Sequence, residues 1–373
     1  MKKNLGFGWM RLPQLSDDPT DIDFKQVNEM VDTFLDAGFN YFDTSFVYHN
    51  GTSENAIKKC LVERHQRDSF VLASKLPTFS IEKEKQVIDI FQQQLDNCGV
   101  EYFDYFLLHN VNIHHYNTVI QSCKMFEHMK EWKEQGKIKH IVISFHDSAD
   151  VLDLILTERP EIEAVQIALN YYDWNSSLIQ AKACYEVIRK HHKQVIIMEP
   201  VKGGMLANAP KNFDSTMNQN DFASLALRFA SELDGVLAIL SGMSNLKQVQ
   251  QNIECMNDFK PLSKDEKDLI EKLIIAYKES GPLGHLDFSQ YQDIQPKGIK
   301  LSNLLETYNS CMIQPNPGFA AELNYYSIEK AKNHLLLNEP SLEVEDEKLN
   351  NIIKDADAFL SSHSFANYDS KLK

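Results

Sequence analysis

The sequence lacks any apolar run approaching the ~20 residues that a membrane-spanning helix needs. It is also short of positive charge: 38 Lys and Arg stand against 53 Asp and Glu, and 38 − 53 = −15. Such a surface repels phosphate backbones and anionic lipid, so neither nucleic acid nor a membrane is an expected partner. No signal peptide is expected. Met1-Lys2-Lys3 opens the chain, but Arg11 and Pro13 interrupt the apolar stretch behind it. These absences together point to the cytoplasm. The 6 cysteines, at positions 60, 98, 123, 184, 255 and 311, stand far apart with no C-x-x-C, and are expected to be reduced and mostly buried thiols. Metal-ligand spacing is missing as well. His114-His115 and His191-His192 are followed by no motif such as H-E-x-x-H and read as surface histidines.

What is present is a chain of 373 residues, 43% apolar and 24% charged, the proportions of a folded protein. Its length suits two domains, or one large barrel with an extension. Short β-like runs alternate with helical patterns: Leu5 to Leu12, Phe39 to Asp43, Ser69 to Ala73, Phe103 to Leu108, Ile138 to Ser144, Ala164 to Ile167, Gln194 to Met198 and Gly235 to Leu240. Most are nearly continuous in apolar character, as strands buried on both faces of a parallel sheet are. Between them, Phe24, Val27, Met30, Val31, Phe34 and Leu35 form one helical stripe that Gly38 stops, and Val87, Ile88, Phe91, Leu95 and Cys98 form another.

Eight β-then-α units predict an α/β fold, a (β/α)8 TIM barrel with a mainly helical C-terminal extension. A doubly wound sheet is the alternative, but no G-x-G-x-x-G follows the first strand. The barrel is expected over residues 1–282. Ser263 and Glu266 stand in capping-box positions before a further helix, and Gly281-Pro282-Leu283-Gly284 breaks the pattern after it. Residues 283–373 then form a second region, with helical patterns at 302–310, 327–337 and 346–361.

Catalytic groups in such a barrel sit at the C-terminal ends of strands. Asp43 closes the second predicted strand, with Tyr48 in the loop behind it. Lys75 closes the third and His109 the fourth. Taken singly, each reads more simply as a cap, a packing ring, a solvated amine or a structural histidine; their placement on successive strands is what stands out.

The segment Tyr41-Phe42-Asp43-Thr44-Ser45-Phe46-Val47-Tyr48, then Gly51-Thr52-Ser53-Glu54, resembles the aldo-keto reductase signature. Lys75 in Leu72-Ala73-Ser74-Lys75 and His109 in Phe106-Leu107-Leu108-His109 match the rest of that family's catalytic set. The resemblance implies hydride transfer between NAD(P)H and a carbonyl or alcohol. It makes Tyr48 the general acid, Lys75 the cation that lowers its pKa, Asp43 the partner holding Lys75, and His109 the donor orienting the carbonyl. It requires no metal.

For the cofactor, the resemblance implies Gly8, Trp9 and Met10 after the first strand, together with Asp43. Ser144 and Gln166 would hold the nicotinamide carboxamide, and Met198 would cover its face. Pro200, Val201, Lys202, Gly203 and Gly204 would meet the pyrophosphate. Ser241, Gly242, Met243, Ser244, Gln248 and Asn252 would form the adenosine-side loop. Gly242 and Gln248 replace the family's usual basic contacts to the 2′-phosphate, so NADPH is expected with NADH left open.

Leu5-Gly6-Phe7-Gly8-Trp9-Met10-Arg11-Leu12-Pro13, Ser144-Phe145-His146-Asp147 and Glu199-Pro200-Val201-Lys202-Gly203-Gly204 resemble one subgroup that carries a C-terminal ferredoxin-like domain with two [4Fe–4S] clusters. Here Leu286, Ser289, Gln292 and Gln295 stand where four cysteines would be, and Cys311 is alone in its region. Cluster ligation needs thiolates. A degenerate remnant without an iron–sulfur cluster is therefore expected. The expected partner is a small-molecule carbonyl substrate, whose identity stays open, as does the oligomeric state. A nicotinamide-nucleotide-binding sensor or partner protein with little turnover is the alternative function, and a lyase using Lys75 as a Schiff-base amine is a more distant one.

Overall fold

In the computed structural model the described residues are 4–211, 213, 219–284, 286–291, 293, 301–323 and 347–362. Eight parallel strands close into a barrel in sequence order, with β8 pairing back onto β1. The strands are β1 (Leu5–Gly8), β2 (Tyr41–Asp43), β3 (Val71–Pro77), β4 (Phe103–Val111), β5 (Ile138–Phe145), β6 (Ala164–Ala168), β7 (Gln194–Met198) and β8 (Val236–Ser241). A helix follows each: α1 (Phe24–Asp36), α2 (Ser53–Ile57), α3 (Glu84–Cys98), α4 (Met125–Glu134), α5 (Ala149–Glu158), α6 (Ala181–Lys190), α7 (Gln219–Ser231) and α8 (Leu246–Asn257). The α/β barrel expected from the alternating pattern is thus the observed architecture.

Local chemistry explains the element ends. The Asp23 carboxylate accepts from the Gln26 amide at 3.0 Å and caps α1, and Gly38 takes a φ of +78° just beyond it. The stripe Val27, Met30, Val31 and Phe34 is fully buried. Inside the barrel, Tyr41, Ala73, Leu107, Val142, Ala164, Ile196, Ala238 and Leu240 form the packed layers that make it a core and not a pore. Gly6 belongs to this layer: a Cβ there would stand 2.7 Å from Cδ2 of Leu240.

The chain divides into two compact units. The first holds the described residues up to Asn175, with 180–200 and 224–262, and includes all eight strands. The second holds 176–179 and the described residues of 201–223 and 263–373. In it, α9 (Lys264–Glu279) starts from the expected capping box, in which Ser263 Oγ accepts the Glu266 amide and Glu266 accepts the Ser263 amide. The helices α10 (Leu301–Met312), α11 (Pro317–Leu323) and α12 (Glu347–Ser362) follow. Leu283, Leu301, Leu304, Leu305, Ile353 and Leu360 form this unit's apolar core.

The helix expected at 327–337 lies outside the described residues, as do Gln292 and Gln295. Leu286 packs against the second core, the Ser289 hydroxyl donates to Asp287 at 2.7 Å, and Cys311 is fully buried among the leucines. Among the described residues no group of three or more His, Cys, Asp or Glu is placed to hold a metal ion, and no helix is long and apolar enough to cross a membrane. Five cysteines are buried, Cys255 is half-buried, and none of the six is in a disulfide.

Candidate active site

The C-terminal ends of β2, β3, β4 and β6 bring one polar cluster together. Lys75 is 1% exposed, and its ammonium donates to Oδ1 of Asp43 at 2.5 Å, to the Thr44 carbonyl at 2.8 Å and to the Tyr48 hydroxyl at 3.2 Å. The three donor positions of an ammonium are therefore all used. Gln166, from β6, donates to Oδ2 of Asp43 at 3.1 Å. The His109 ring meets the Tyr48 ring edge to face, with centroids 5.9 Å apart, and meets Phe79 at 5.6 Å. All four residues expected from the strand ends thus converge.

The electrostatics follow from burial. Desolvation lowers Lys75, but the Asp43 carboxylate and the Tyr48 hydroxyl outweigh it, and the ammonium is held above its usual range. Burial pushes the Asp43 carboxyl upward, while Lys75 and Gln166 pull it back. Burial also raises the Tyr48 hydroxyl above 10.0, outweighing the Lys75 ammonium that pulls it down. This corrects the expectation of a lowered tyrosine: the cation acts in the expected direction, but desolvation of the phenolate is larger. Burial, aided by Lys75 and His146, holds His109 well below 6.5, so its ring is neutral.

Sequence reasoning missed four features here. A β-bulge lies in β4, where the register with β5 slips between Leu108 and Val111 and Asn110 takes a φ of +63°. The Thr78 hydroxyl donates to the His109 carbonyl at 2.6 Å and fixes that bulge. Ser45 Oγ sits 3.1 Å from His109 Nδ1. Beneath Lys75, the buried Glu54 carboxylate accepts from Ser74 and Gln94, each at 2.7 Å, and from Asn97 at 3.1 Å. Gln94 also donates to the Lys75 carbonyl at 3.0 Å, tying this network to the β3 backbone. Ser45 and Glu54 lie within the quoted signature, but nothing local marks either as a neighbour of the cluster.

The residues expected to hold a cofactor fall into four groups. Ser144 and Gln166 are register partners on β5 and β6, both 1% exposed, and the Ser144 hydroxyl also lies 3.2 Å from His146 Nε2. Around the β8 loop, a Cβ on Gly8 would lie 3.5 Å from the Ser241 carbonyl, and a Cβ on Gly242 would lie 3.2 Å from Cδ of Arg11. Ser241 accepts from Asn252 at 2.8 Å, Met243 is buried, and Gln248 accepts the Ser244 amide at 2.7 Å. Arg11 in turn pairs with Glu199 at 3.8 Å. Trp9 is fully buried between Phe7 and Phe42, Met10 and Met198 are half-buried, and Pro200 is buried. Val201, Lys202, Gly203 and Gly204 belong to the second unit, where they make a 3-10 turn and the Gly204 amide donates to the Val201 carbonyl at 3.0 Å.

The chain resembles known proteins over its barrel. The aldo/keto reductase family model matches residues 4–275. L-galactose dehydrogenase of Arabidopsis thaliana is 23% identical over 260 residues, 63% of this chain and 79% of that protein. The holo form of the aldo-keto reductase AKR11C1 from Bacillus halodurans aligns with a TM-score of 0.58 at 23% identity, over 73% of this chain and 92% of that one. An aldo-keto reductase from Klebsiella pneumoniae in complex with NADPH aligns with a TM-score of 0.60 at 19% identity, over 74% and 95%. At such identities the solved structures speak for the fold, and the family match covers most of the chain. With the eight-stranded barrel and the strand-end cluster, it makes this chain a member of the aldo/keto reductase family, an oxidoreductase.

Proposed function

We propose that this protein reduces the carbonyl of a small aldehyde or ketone to an alcohol with NADPH. The observation that carries the reading is the Lys75 ammonium shared between Asp43 and the Tyr48 hydroxyl. Hydride attack on a carbonyl builds charge on oxygen, which a nearby acid must quench. Tyr48 is protonated at neutral pH, as a phenol ordinarily is and as burial reinforces, so it enters the reaction as the acid. Lys75, held charged by Asp43, stabilises the phenolate left behind. His109 is neutral and donates a hydrogen bond to the same oxygen.

The chain's own donors fit a nicotinamide nucleotide. Ser144 and Gln166 present a hydroxyl and an amide side by side for a carboxamide. Arg11, lying against Gly242, brings a guanidinium to a loop that lacks the usual lysine. When bound, the nucleotide supplies the hydride. NADPH is favoured over NADH by the NADPH complex of the Klebsiella pneumoniae relative.

The test is fluorescence titration with NADPH and NADH, then turnover of aldehyde, ketone and L-galactose panels by wild type and Tyr48→Phe. The expected result is tighter NADPH binding, carbonyl turnover, and a loss of about 10²–10⁴-fold in Tyr48→Phe with nucleotide affinity kept. Nucleotide binding without any turnover overturns the reductase reading in favour of a nucleotide-binding sensor.

A further inference from the structure

We propose that Ser45 is a positioning residue that holds His109 in the Nε2–H tautomer, leaving the nitrogen remote from Ser45 as a donor for the substrate oxygen. The inference rests on the carbonyl-reductase reading and adds to it a residue that touches neither substrate nor cofactor.

The argument is one of hydrogen-bond satisfaction. Ser45 is 0% exposed, and among the described residues its hydroxyl has one partner, His109 Nδ1 at 3.1 Å. A neutral imidazole carries one N–H and one bare nitrogen. With the proton on Nδ1, the ring would donate to Ser45 Oγ, and the buried hydroxyl proton would have no acceptor. That orphan is costly where water cannot reach. With the proton on Nε2, the hydroxyl donates to bare Nδ1 and both groups are satisfied.

The ring has little freedom to escape this choice. The bulge at Leu108–Val111 and the αL backbone of Asn110 set the direction of the His109 side chain. Thr78 fixes the His109 carbonyl, and Tyr48 and Phe79 flank the ring. What is left to decide is which nitrogen bears the proton, and Ser45 decides it.

The experiment is nitrogen NMR on the full chain labelled with 15N-histidine, with the His109 signals assigned by their loss in His109→Asn. Wild type at pH 8 is expected to show the Nε2–H pattern at His109. Ser45→Ala is expected to show a mixture of tautomers and a fivefold to tenfold lower kcat/KM, with nucleotide affinity unchanged. Ser45→Thr keeps the hydroxyl and is expected to keep the wild-type pattern. An Nδ1–H pattern in wild type, or an unchanged Nε2–H pattern in Ser45→Ala, overturns the proposal. Because the spectra need no turnover, a wild type that reduces no carbonyl sinks the reductase reading while the tautomer assignment is still decided.

Discussion

Gln166 on β6 donates to one carboxylate oxygen of Asp43 on β2 at 3.1 Å, while Lys75 on β3 occupies the other at 2.5 Å. Asp43 is thus the hub that joins the expected proton-transfer residues to the expected carboxamide site. Among the described residues its charge is the sole anion bonded to that buried ammonium, which fixes what its removal does.

Asp43→Ala leaves the Lys75 ammonium with two neutral partners, the Thr44 carbonyl and the Tyr48 hydroxyl. Breaking a buried pair from one side costs about 3–5 kcal/mol, more than removing both charges together. Urea unfolding of Asp43→Ala should show that loss, and Asp43→Ala/Lys75→Met should recover much of it. Equal losses in the two variants would show that the pair is not what holds this end of the barrel.

A second consequence concerns acid. His109 is held neutral, well below 6.5, by burial and the Lys75 charge. As pH falls through about 6.5 the unfolded chain takes up a proton at this histidine that the folded chain refuses. Stability contributed above that pH is therefore lost as pH drops toward the depressed folded value, by up to about 1.4 kcal/mol per pH unit. Burial lowers His49 in the same way, so this histidine adds to the same slope. His109→Gln should flatten the fall in unfolding free energy between pH 6.5 and acid while leaving the His49 share. Superimposable pH profiles for the variant and wild type would contradict it.

These examples show where the sequence was readable. Asp43 and Lys75 could be found because a parallel barrel presents successive strand ends on one rim, and both residues end apolar runs. Their pairing was expected from the family resemblance. The direction of the Tyr48 shift was not, because the ammonium is visible in the sequence and the desolvation that outweighs it is not. The bulge in β4 was hidden as well: Leu107-Leu108-His109-Asn110-Val111 reads as a strand that stops, and Asn110 is the only hint of a left-handed residue. In the second unit, Ser263 and Glu266 announced the start of α9. Nothing local announced that Ser176 would donate to Glu306 at 3.2 Å, since that contact joins segments far apart in the chain.

Cysteine chemistry gives a third prediction. Cys60 is buried, and desolvation pushes its thiol from 9.0 up to about 11. Cys98, buried near Glu54, is also raised well above 9.0. The thiolate is the reactive form, so both should resist alkylation at pH 8 in the folded protein and react only on unfolding. Iodoacetamide labelling followed by peptide mapping, with and without urea, checks this. Rapid native labelling of Cys60 would mean that its surroundings open far more readily than its burial indicates.

The last prediction falls on the break after α9. A Cβ on Gly284 would stand 2.4 Å from both the Lys278 carbonyl oxygen and the Glu279 Cα. Both are backbone atoms of the helix end, so neither can swing aside as a side chain would. Next to it, the Leu283 amide donates to Asn309 Oδ1 at 2.9 Å, and Asn309 Nδ2 donates to the Lys278 carbonyl at 3.0 Å. This bond pair ties the end of α9 to α10, and the close approach of Gly284 is what lets the chain make it. Gly284→Ala must therefore push the chain off the helix end, at about 1–3 kcal/mol for overpacking plus the weakened Asn309 bonds. Asn309→Ala should cost a comparable amount, and the double variant much less than the sum, because both changes break the same junction. Additive losses in denaturant unfolding would show instead that Gly284 and Asn309 act at separate places.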